Sequence, residues 1–293
     1  MATVEQWVQG ARPRTLPNAV APVLVGTGAA VGAGAARPVC ALLALLVAVS
    51  MVIGVNYAND YSDGTRGTDE NRVGPLRLVG SGAAEPAAVR AAAFGWLGLG
   101  SLAGLTLVIL TRNWWLLAVG VACVLGAWFY TGGRKPYGYA GLGELAVFVF
   151  FGPVAVLGTA YVQSGPPSLL AVLCAAGVGL LSCSVLVANN LRDIESDTQS
   201  GKRTLAVLLG DRNTRRLYAA LVVVPLLVSL LGAVFAPWLL LGLLAAPLGL
   251  SPVRRVLGGV GGRQLIAVLG ASGMVMLAWS LCTAVGLALT GLV

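Results

Sequence analysis

The chain has 293 residues, of which 57% are hydrophobic and only 10% charged, with a mean hydropathy of +0.86. Soluble domains carry about a quarter charged residues, so this composition excludes a soluble globular domain, and apolar runs that continue for about 20 residues without period-two alternation argue against a β-barrel. The net charge of +8 is not read as a nucleic-acid footprint, because the basic residues must first be placed relative to a membrane.

Taken in chain order, apolar runs predict nine membrane spans, near residues 16–36, 38–58, 88–111, 114–131, 142–162, 167–190, 216–235, 237–253 and 265–291. The first run is long, follows a polar stretch and heads a series of further spans, which separates it from a cleavable signal. The 40 glycines and many alanines suit helices packing closely in lipid, where small side chains let backbones approach. With the N-terminus inside, every Lys and Arg except Arg37 and Arg112 falls on an inner segment, the cytoplasmic bias that sets orientation. Cys40, Cys123, Cys174, Cys183 and Cys282 lie in apolar runs without C-x-x-C spacing and read as packing residues. Histidine is absent, which removes imidazole chemistry and histidine metal ligands.

Most of the 11 acidic residues gather in two places: Asp60, Asp63, Asp69 and Glu70 after the second span, and Asp193, Glu195 and Asp197 after the sixth. A carboxylate near a bilayer costs about 3 kcal/mol unless compensated, so such grouping suggests a cation site. If the second span stays helical to about Asp63, then Asn56, Asn59, Asp60 and Asp63 share one face. Gly64 and Gly67 then let the chain leave the helix, and the loop carries Arg66, Arg72 and Arg77 back over its end. Asn189, Asp193 and Asp197 recur every fourth residue with Glu195 pointing elsewhere, and Lys202 and Arg203 follow. The shared Asn-x-x-x-Asp start hints at two related halves. Paired carboxylates with amide oxygens nearby are what Mg²⁺ accepts together with substrate phosphate oxygens. Lysine and arginine just beyond could take the remaining phosphate charge. One such stripe alone reads more simply as a solvated helix end; two on the same side of the membrane favour a diphosphate site. A Ca²⁺ loop is disfavoured, since the EF-hand spacing is missing.

Five stretches then carry a family likeness. They are GARPRTLPNAVAPVLVGTG at Gly10 to Gly28, NDYSDGTRGTD with RVGPLRLVGSG between Asn59 and Gly82, YTGGRKPYGY at Tyr130 to Tyr139, GELAVFVFFGPVAVLGT at Gly143 to Thr159, and NNLRDIESD with GKRTLAV between Asn189 and Val207. In these the chain resembles the UbiA superfamily of membrane prenyltransferases, and more closely its 1,4-dihydroxy-2-naphthoate prenyltransferases of menaquinone synthesis. One departure is Gly67, where the superfamily pattern has a third aspartate; the nearest acid is Asp69.

The resemblance implies an all-α integral membrane fold, a single nine-helix domain over residues 1–293. Helices two and six would face each other across a central cavity, under cytoplasmic cap loops near 59–87, 132–141 and 191–215. It implies a multi-pass protein of the cell membrane with its site facing the cytoplasm. It also implies Mg²⁺-dependent transfer of a polyprenyl group from polyprenyl diphosphate to 1,4-dihydroxy-2-naphthoate, with decarboxylation to demethylmenaquinol. Asp60, Asp63, Asp193 and Asp197 would then hold two Mg²⁺ ions, with Asn59, Asn189, Arg66, Arg72 and Lys202 around the diphosphate. Lys135, Arg134, Tyr137 and Asn18 would meet the aromatic acceptor. Lys135 and Arg134 equally suit the diphosphate or plain positive-inside charge, and Asn18 equally suits a helix cap. Tyr57, Tyr61, Tyr130 and Tyr137 suit either an allylic cation or an interfacial belt. The prenyl tail would lie in an apolar groove open to membrane lipid.

Three readings compete. Another UbiA-type acceptor such as 4-hydroxybenzoate is separated only by the branch-like motifs. An ion-coupled transporter would place its acids near the midplane at broken helices, whereas these lie at cytoplasmic helix ends. CDP-alcohol phosphotransferases share D-x-x-D-G, seen at Asp60 to Gly64, but need A-R where this chain has Gly67 and Thr68.

Overall fold

In lipid a backbone must satisfy its own N–H and C=O groups, so long apolar runs fold as helices. A computed structural model describes residues 2–67 and 76–291, and among these the structure is helical with no strand. Asp69, Glu70 and Arg72, singled out above, lie outside the described residues. The helices are α1 (Val4–Ala11), α2 (Pro17–Gly32), α3 (Pro38–Thr65), α4 (Pro86–Thr111), α5 (Leu116–Phe129), α6 (Gly143–Ser164), α7 (Leu169–Gln199), α8 (Leu205–Ala233), α9 (Pro237–Leu257) and α10 (Gln264–Thr290). Among the described residues, 7 helices are long and apolar enough to cross a membrane, or 8 if the bent stretch from α1 through α2 counts as one span; α5 has only 14 residues. The spans expected from the sequence therefore coincide with helices, with fewer clear crossings than nine.

Start signals are local. Thr3 caps α1 reciprocally with Gln6, and the chain bends 46° before α2, where Pro17 opens the helix. Ser168 and Thr204 cap α7 and α8 through their side-chain oxygens.

α7 is the central post. In its apolar window 67% of residues are buried, against 28% to 44% in the other crossing helices. It packs on α6, α8 and α10. Small residues make these approaches possible: a Cβ on Gly28 of α2 would lie 2.4 Å from the Ala284 carbonyl oxygen of α10. Outward faces of α4, α5 and α8 present residues such as Leu102, Ile109, Val121 and Leu231 to the surroundings, as lipid contact requires. In α6, residues Phe150–Leu157 adopt a π register around Pro153. Proline offers no N–H and crowds the preceding turn, and the wider turn relieves both.

Helix length places the polar residues. α3 has 28 residues and α7 has 31, which makes them about 42 Å and about 46 Å long. A hydrocarbon core is about 30 Å thick, so both overshoot it. Each is thus long enough to cross a bilayer with its apolar N-terminal part and still extend the last turns, which carry the Asn and Asp stripes, beyond the hydrocarbon.

Candidate active site

α3, α4, α5, α6 and α7 surround a cavity of about 680 Å³. Along α3 it extends from Ala44 to Asn59, about 22 Å at helical rise. One end is apolar, walled by Ala44, Val47, Leu107 and Val108; the other is lined by Asn18, Asn56, Asn59, Asn189, Tyr130 and Tyr137. The stripes read from the sequence therefore meet this space from two sides, α3 and α7. Their carboxylates lie one step further toward the helix ends.

The amides are held firmly. The Asn56 side-chain amide donates to the Ala11 carbonyl at 3.0 Å and to Thr15 Oγ1 at 2.9 Å. Asn59 Oδ1 accepts from Thr131 Oγ1 at 2.7 Å. Asn18 donates to the Thr15 carbonyl at 3.2 Å, while its Oδ1 is buried without a hydrogen-bond partner among the described residues.

Asp60, Asp63, Asp193 and Asp197 are all buried. Asp63 is the hub: Arg77 reaches its Oδ2 at 3.2 Å, and Lys202 Nζ lies 3.4 Å from its Oδ1, which also accepts from the Tyr139 hydroxyl. The Lys202 ammonium sits 4.7 Å from the Tyr139 ring centroid, a cation–π contact. The Lys202 backbone N–H donates to the Asp197 carbonyl at 2.8 Å, and Gly201 makes the turn at φ +75°. One lysine thereby ties the end of α7 to the carboxylate of α3. On α7, the Arg192 fork grips Asp193 with two bonds of 2.6 Å and gives a third, of 2.9 Å, to Asn189 Oδ1. Buried carboxylates persist when paired and hydrogen-bonded in this way.

Several expected roles look different in the structure. Asp60, expected on metal, accepts the backbone N–H groups of Leu78 at 2.8 Å and Val79 at 3.0 Å, so both its oxygens anchor the returning loop. Arg66, expected on diphosphate, turns away and donates to the carbonyls of Thr131 and Gly133. Arg134 and Lys135 are exposed and do not line the cavity, whereas Tyr137 does. The Tyr137 hydroxyl donates to the Gly126 carbonyl at 2.6 Å, and burial pushes its phenol up to about 12. Tyr57 donates to the Trp7 carbonyl at 2.8 Å and Tyr61 stacks on Trp128, outside the cavity wall. Glu195 is exposed, as the helical spacing requires.

Among the described residues no three Asp, Glu or Cys side chains gather closely enough to hold a metal ion alone. Sequence reasoning also passed over Arg192 and Tyr139 as site residues, and it brought Arg77 over the helix end without its partner Asp63. Arg192 directly precedes Asp193, and that adjacency was its only signal; Arg77 and Tyr139 arrive from loops.

The sequence matches the UbiA prenyltransferase family over residues 19–259. It is 59% identical to the 1,4-dihydroxy-2-naphthoate octaprenyltransferase of Mycobacterium tuberculosis (strain ATCC 25618 / H37Rv) over 288 residues, 98% of each chain. It is 39% identical to the enzyme of the same name from Escherichia coli (strain K12), over 88% of this chain and 86% of that one. Among solved structures, the UbiA homologue from Aeropyrum pernix K1 shares the fold with a TM-score of 0.68 at 18% identity, over 95% of this chain and 98% of that one. The homologue from Archaeoglobus fulgidus bound to GPP and Mg²⁺ does so at 0.66 and 11%, over 95% and 99%. With this match across most of its length, the chain belongs to the UbiA prenyltransferase family.

Proposed function

We propose that this protein transfers a polyprenyl group from polyprenyl diphosphate to 1,4-dihydroxy-2-naphthoate, releasing diphosphate and CO₂ and leaving demethylmenaquinol. The observation that carries this reading is Lys202, which joins the carboxylate ends of α3 and α7 beside the polar end of an apolar cavity. Relatives named for this reaction, at 59% and 39% identity over most of both chains, support the choice of acceptor.

Mg²⁺ fits the donor set. Asp63, Asp193 and Asp197 are hard oxygen donors on two neighbouring helix ends, and Mg²⁺ takes one or two carboxylates and completes its shell with water and phosphate oxygens. Asp63, Asp193 and Asp197 would hold two ions between them, and the Archaeoglobus fulgidus homologue was solved bound to GPP and Mg²⁺. When bound, Mg²⁺ supplies Lewis-acid neutralisation of the leaving group.

The chain's own residues do the rest. Lys202, Arg77 and Arg192 already neutralise the carboxylates, and they are the cations positioned to take diphosphate charge, with Arg72 as a further candidate. Asn59 and Asn189 flank the diphosphate from the two helices. Asp60 holds the Leu78–Val79 turn over the site, and Arg66 fixes the loop beside it. The Asn18 oxygen and Tyr137 meet the aromatic ring, and Arg134 and Lys135 draw the naphthoate carboxylate to the rim. Breaking the allylic C–O bond leaves an electron-poor carbon, which the ring carbon bearing the carboxylate attacks; the C–C bond to the carboxylate then breaks, and its electron pair restores the aromatic ring. The tail lies in the apolar part of the cavity and continues into membrane lipid. This reading places nine helices in a single domain over residues 1–293, with the N-terminus and the site on the cytoplasmic side of the cell membrane.

The test is to incubate purified protein with Mg²⁺, a polyprenyl diphosphate and either 1,4-dihydroxy-2-naphthoate or 4-hydroxybenzoate, and to measure product mass. The expected product is the prenylated naphthalenediol lacking CO₂, formed only with Mg²⁺ and abolished by a chelator. Prenylation of 4-hydroxybenzoate alone would reassign the acceptor.

A further inference from the structure

At the end of the bundle opposite the carboxylates lies a second cavity, of about 530 Å³. Three connections converge on it: the α2–α3 link at Arg37, the α4–α5 link at Asn113, and the end of α6 from Tyr161 to Gly165. α3 begins here with its 28 residues and finishes at the carboxylates, about 42 Å away, so this cavity is separate from the site described above. A buried amide organises its wall. Gln163 is 3% exposed, donates to Thr27 Oγ1 at 3.1 Å and to the Thr159 carbonyl at 3.0 Å, and accepts the Arg37 backbone N–H at 3.3 Å. The start of α3 is thereby tied to α2 and α6, which fixes the point from which the Arg37 side chain leaves the wall.

The lining selects an anion. The Arg37 guanidinium makes neither an ion pair nor a hydrogen bond among the described residues, and the Asn113 side-chain amide and the Tyr161 hydroxyl are equally without partners there. The links 33–37, 112–115 and 165–168 contain no Asp or Glu, and Arg112, exposed beside Asn113, adds a second cation at the rim. Arg37 is also the N-cap of α3, whose first turn has no side-chain cap, so the positive end of that long helix contributes to the same field. A metal ion would find no carboxylate among these groups. An arginine fork joined by an amide N–H and a phenol O–H matches the oxygens of a phosphate, which guanidinium groups bind in pairs.

The level of the cavity in the fold says which phosphate. Trp114 and Trp115 follow Asn113 directly and are 58% and 53% exposed, and tryptophans in that setting mark the boundary between hydrocarbon and headgroups. The Trp115 ring stands edge-on to Tyr161 at 5.2 Å between centroids, so the boundary residue and the cavity wall are in contact. Next to Arg37, the first turns of α3 turn Val39 and Leu42 outward, 62% and 67% exposed. A ligand with a charged head and hydrocarbon chains uses both surfaces; a free phosphate uses only the first. We propose that this cavity binds the phosphate of an anionic phospholipid. Arg37 pairs with the phosphate, Asn113 and Tyr161 donate to its oxygens, and an acyl chain lies along Val39 and Leu42. The unpaired charges of Arg37 and Arg112 favour a headgroup with net negative charge over a zwitterionic one. The site is independent of the transfer reaction proposed above.

The experiment takes the full chain, delipidated in a neutral detergent, and titrates it with short-chain phosphatidylglycerol, phosphatidylcholine or inorganic phosphate. Native mass spectrometry counts bound lipid, and thermal unfolding is recorded in parallel. Wild type is expected to keep one tightly bound phosphatidylglycerol and to unfold at a higher temperature with it, while phosphatidylcholine and inorganic phosphate at equal concentration do neither. Arg37→Gln should weaken that binding at least about tenfold, which corresponds to about 1.4 kcal/mol, and leave the lipid-free unfolding temperature unchanged. Arg37→Lys should recover part of the loss. Arg254→Gln, which removes an exposed arginine at the opposite end of the bundle, should keep wild-type affinity for this first lipid. Wild-type affinity in Arg37→Gln, an equal loss in Arg254→Gln, or equal binding of the two lipids by wild type would each overturn the proposal. Full stabilisation by inorganic phosphate alone would overturn the lipid assignment and leave a free-anion site. If Arg37→Gln fails to fold, wild-type affinity in the double variant Asn113→Ala with Tyr161→Phe still overturns it.

Discussion

Asp60 and Asp63 sit three residues apart on one helical face, yet their surroundings give them different work. Asp60 receives two backbone N–H groups, while Asp63 receives two cations and a phenol. Asp60→Asn turns an amide N–H toward a backbone N–H, so it should lower stability by about 1–3 kcal/mol, read as a fall in unfolding temperature, with any activity loss following from the loop. Asp63→Asn and Asp193→Asn should instead lower kcat by about 10²–10³-fold at saturating Mg²⁺, the scale of losing a group that stabilises developing charge. Equal effects of Asp60→Asn and Asp63→Asn on kcat, with no change in unfolding temperature, would erase the distinction. Sequence spacing showed that these residues share a face, because that follows from helical geometry alone. It did not show their partners, because the Leu78 and Val79 amides, Arg77 and Tyr139 are delivered by loops whose closure depends on the whole fold.

The elements carrying the site were more legible than its contacts. Asn56 to Asp63 and Asn189 to Asp197 repeat at three- and four-residue intervals at the ends of apolar runs, a pattern only helices turn into buried stripes. Their overshoot beyond the hydrocarbon explains how acids survive so near a membrane. The segment after α7 was legible only as charge: Lys202 was expected near phosphate, but its bond to Asp63 of α3 spans distant parts of the chain. As the link between the two helix ends, Lys202→Ala should raise KM for prenyl diphosphate more than KM for the naphthoate. Initial-rate kinetics with each substrate varied in turn would show this, and the reverse order would reassign Lys202 to the acceptor.

Across the whole molecule, one cavity joins an apolar wall to an amide and phenol end, with the carboxylates and their cations beyond. That order matches a prenyl diphosphate, whose tail and charged head need opposite solvents. Composition made the membrane class plain, because a bilayer tolerates little else over so many long apolar runs. The count of crossings was less plain, since the 14-residue α5 and the bent stretch through α2 are helical without being full-length spans. Orientation rests on basic residues outside the spans. In sealed right-side-out vesicles, Asn113→Cys should react with a membrane-impermeant maleimide and Gly261→Cys should not; the opposite pattern would invert the topology.

The central claim is that the ends of α3 and α7 together receive one prenyl diphosphate. Equilibrium binding of a polyprenyl diphosphate in the presence of Mg²⁺, to wild type, Asp63→Asn and Asp193→Asn, tests it most directly. Each variant should bind at least about tenfold more weakly, which corresponds to about 1.4 kcal/mol, and the double variant should lose less than the product of the two, because both carboxylates serve one ligand. Wild-type affinity in both single variants would contradict the claim.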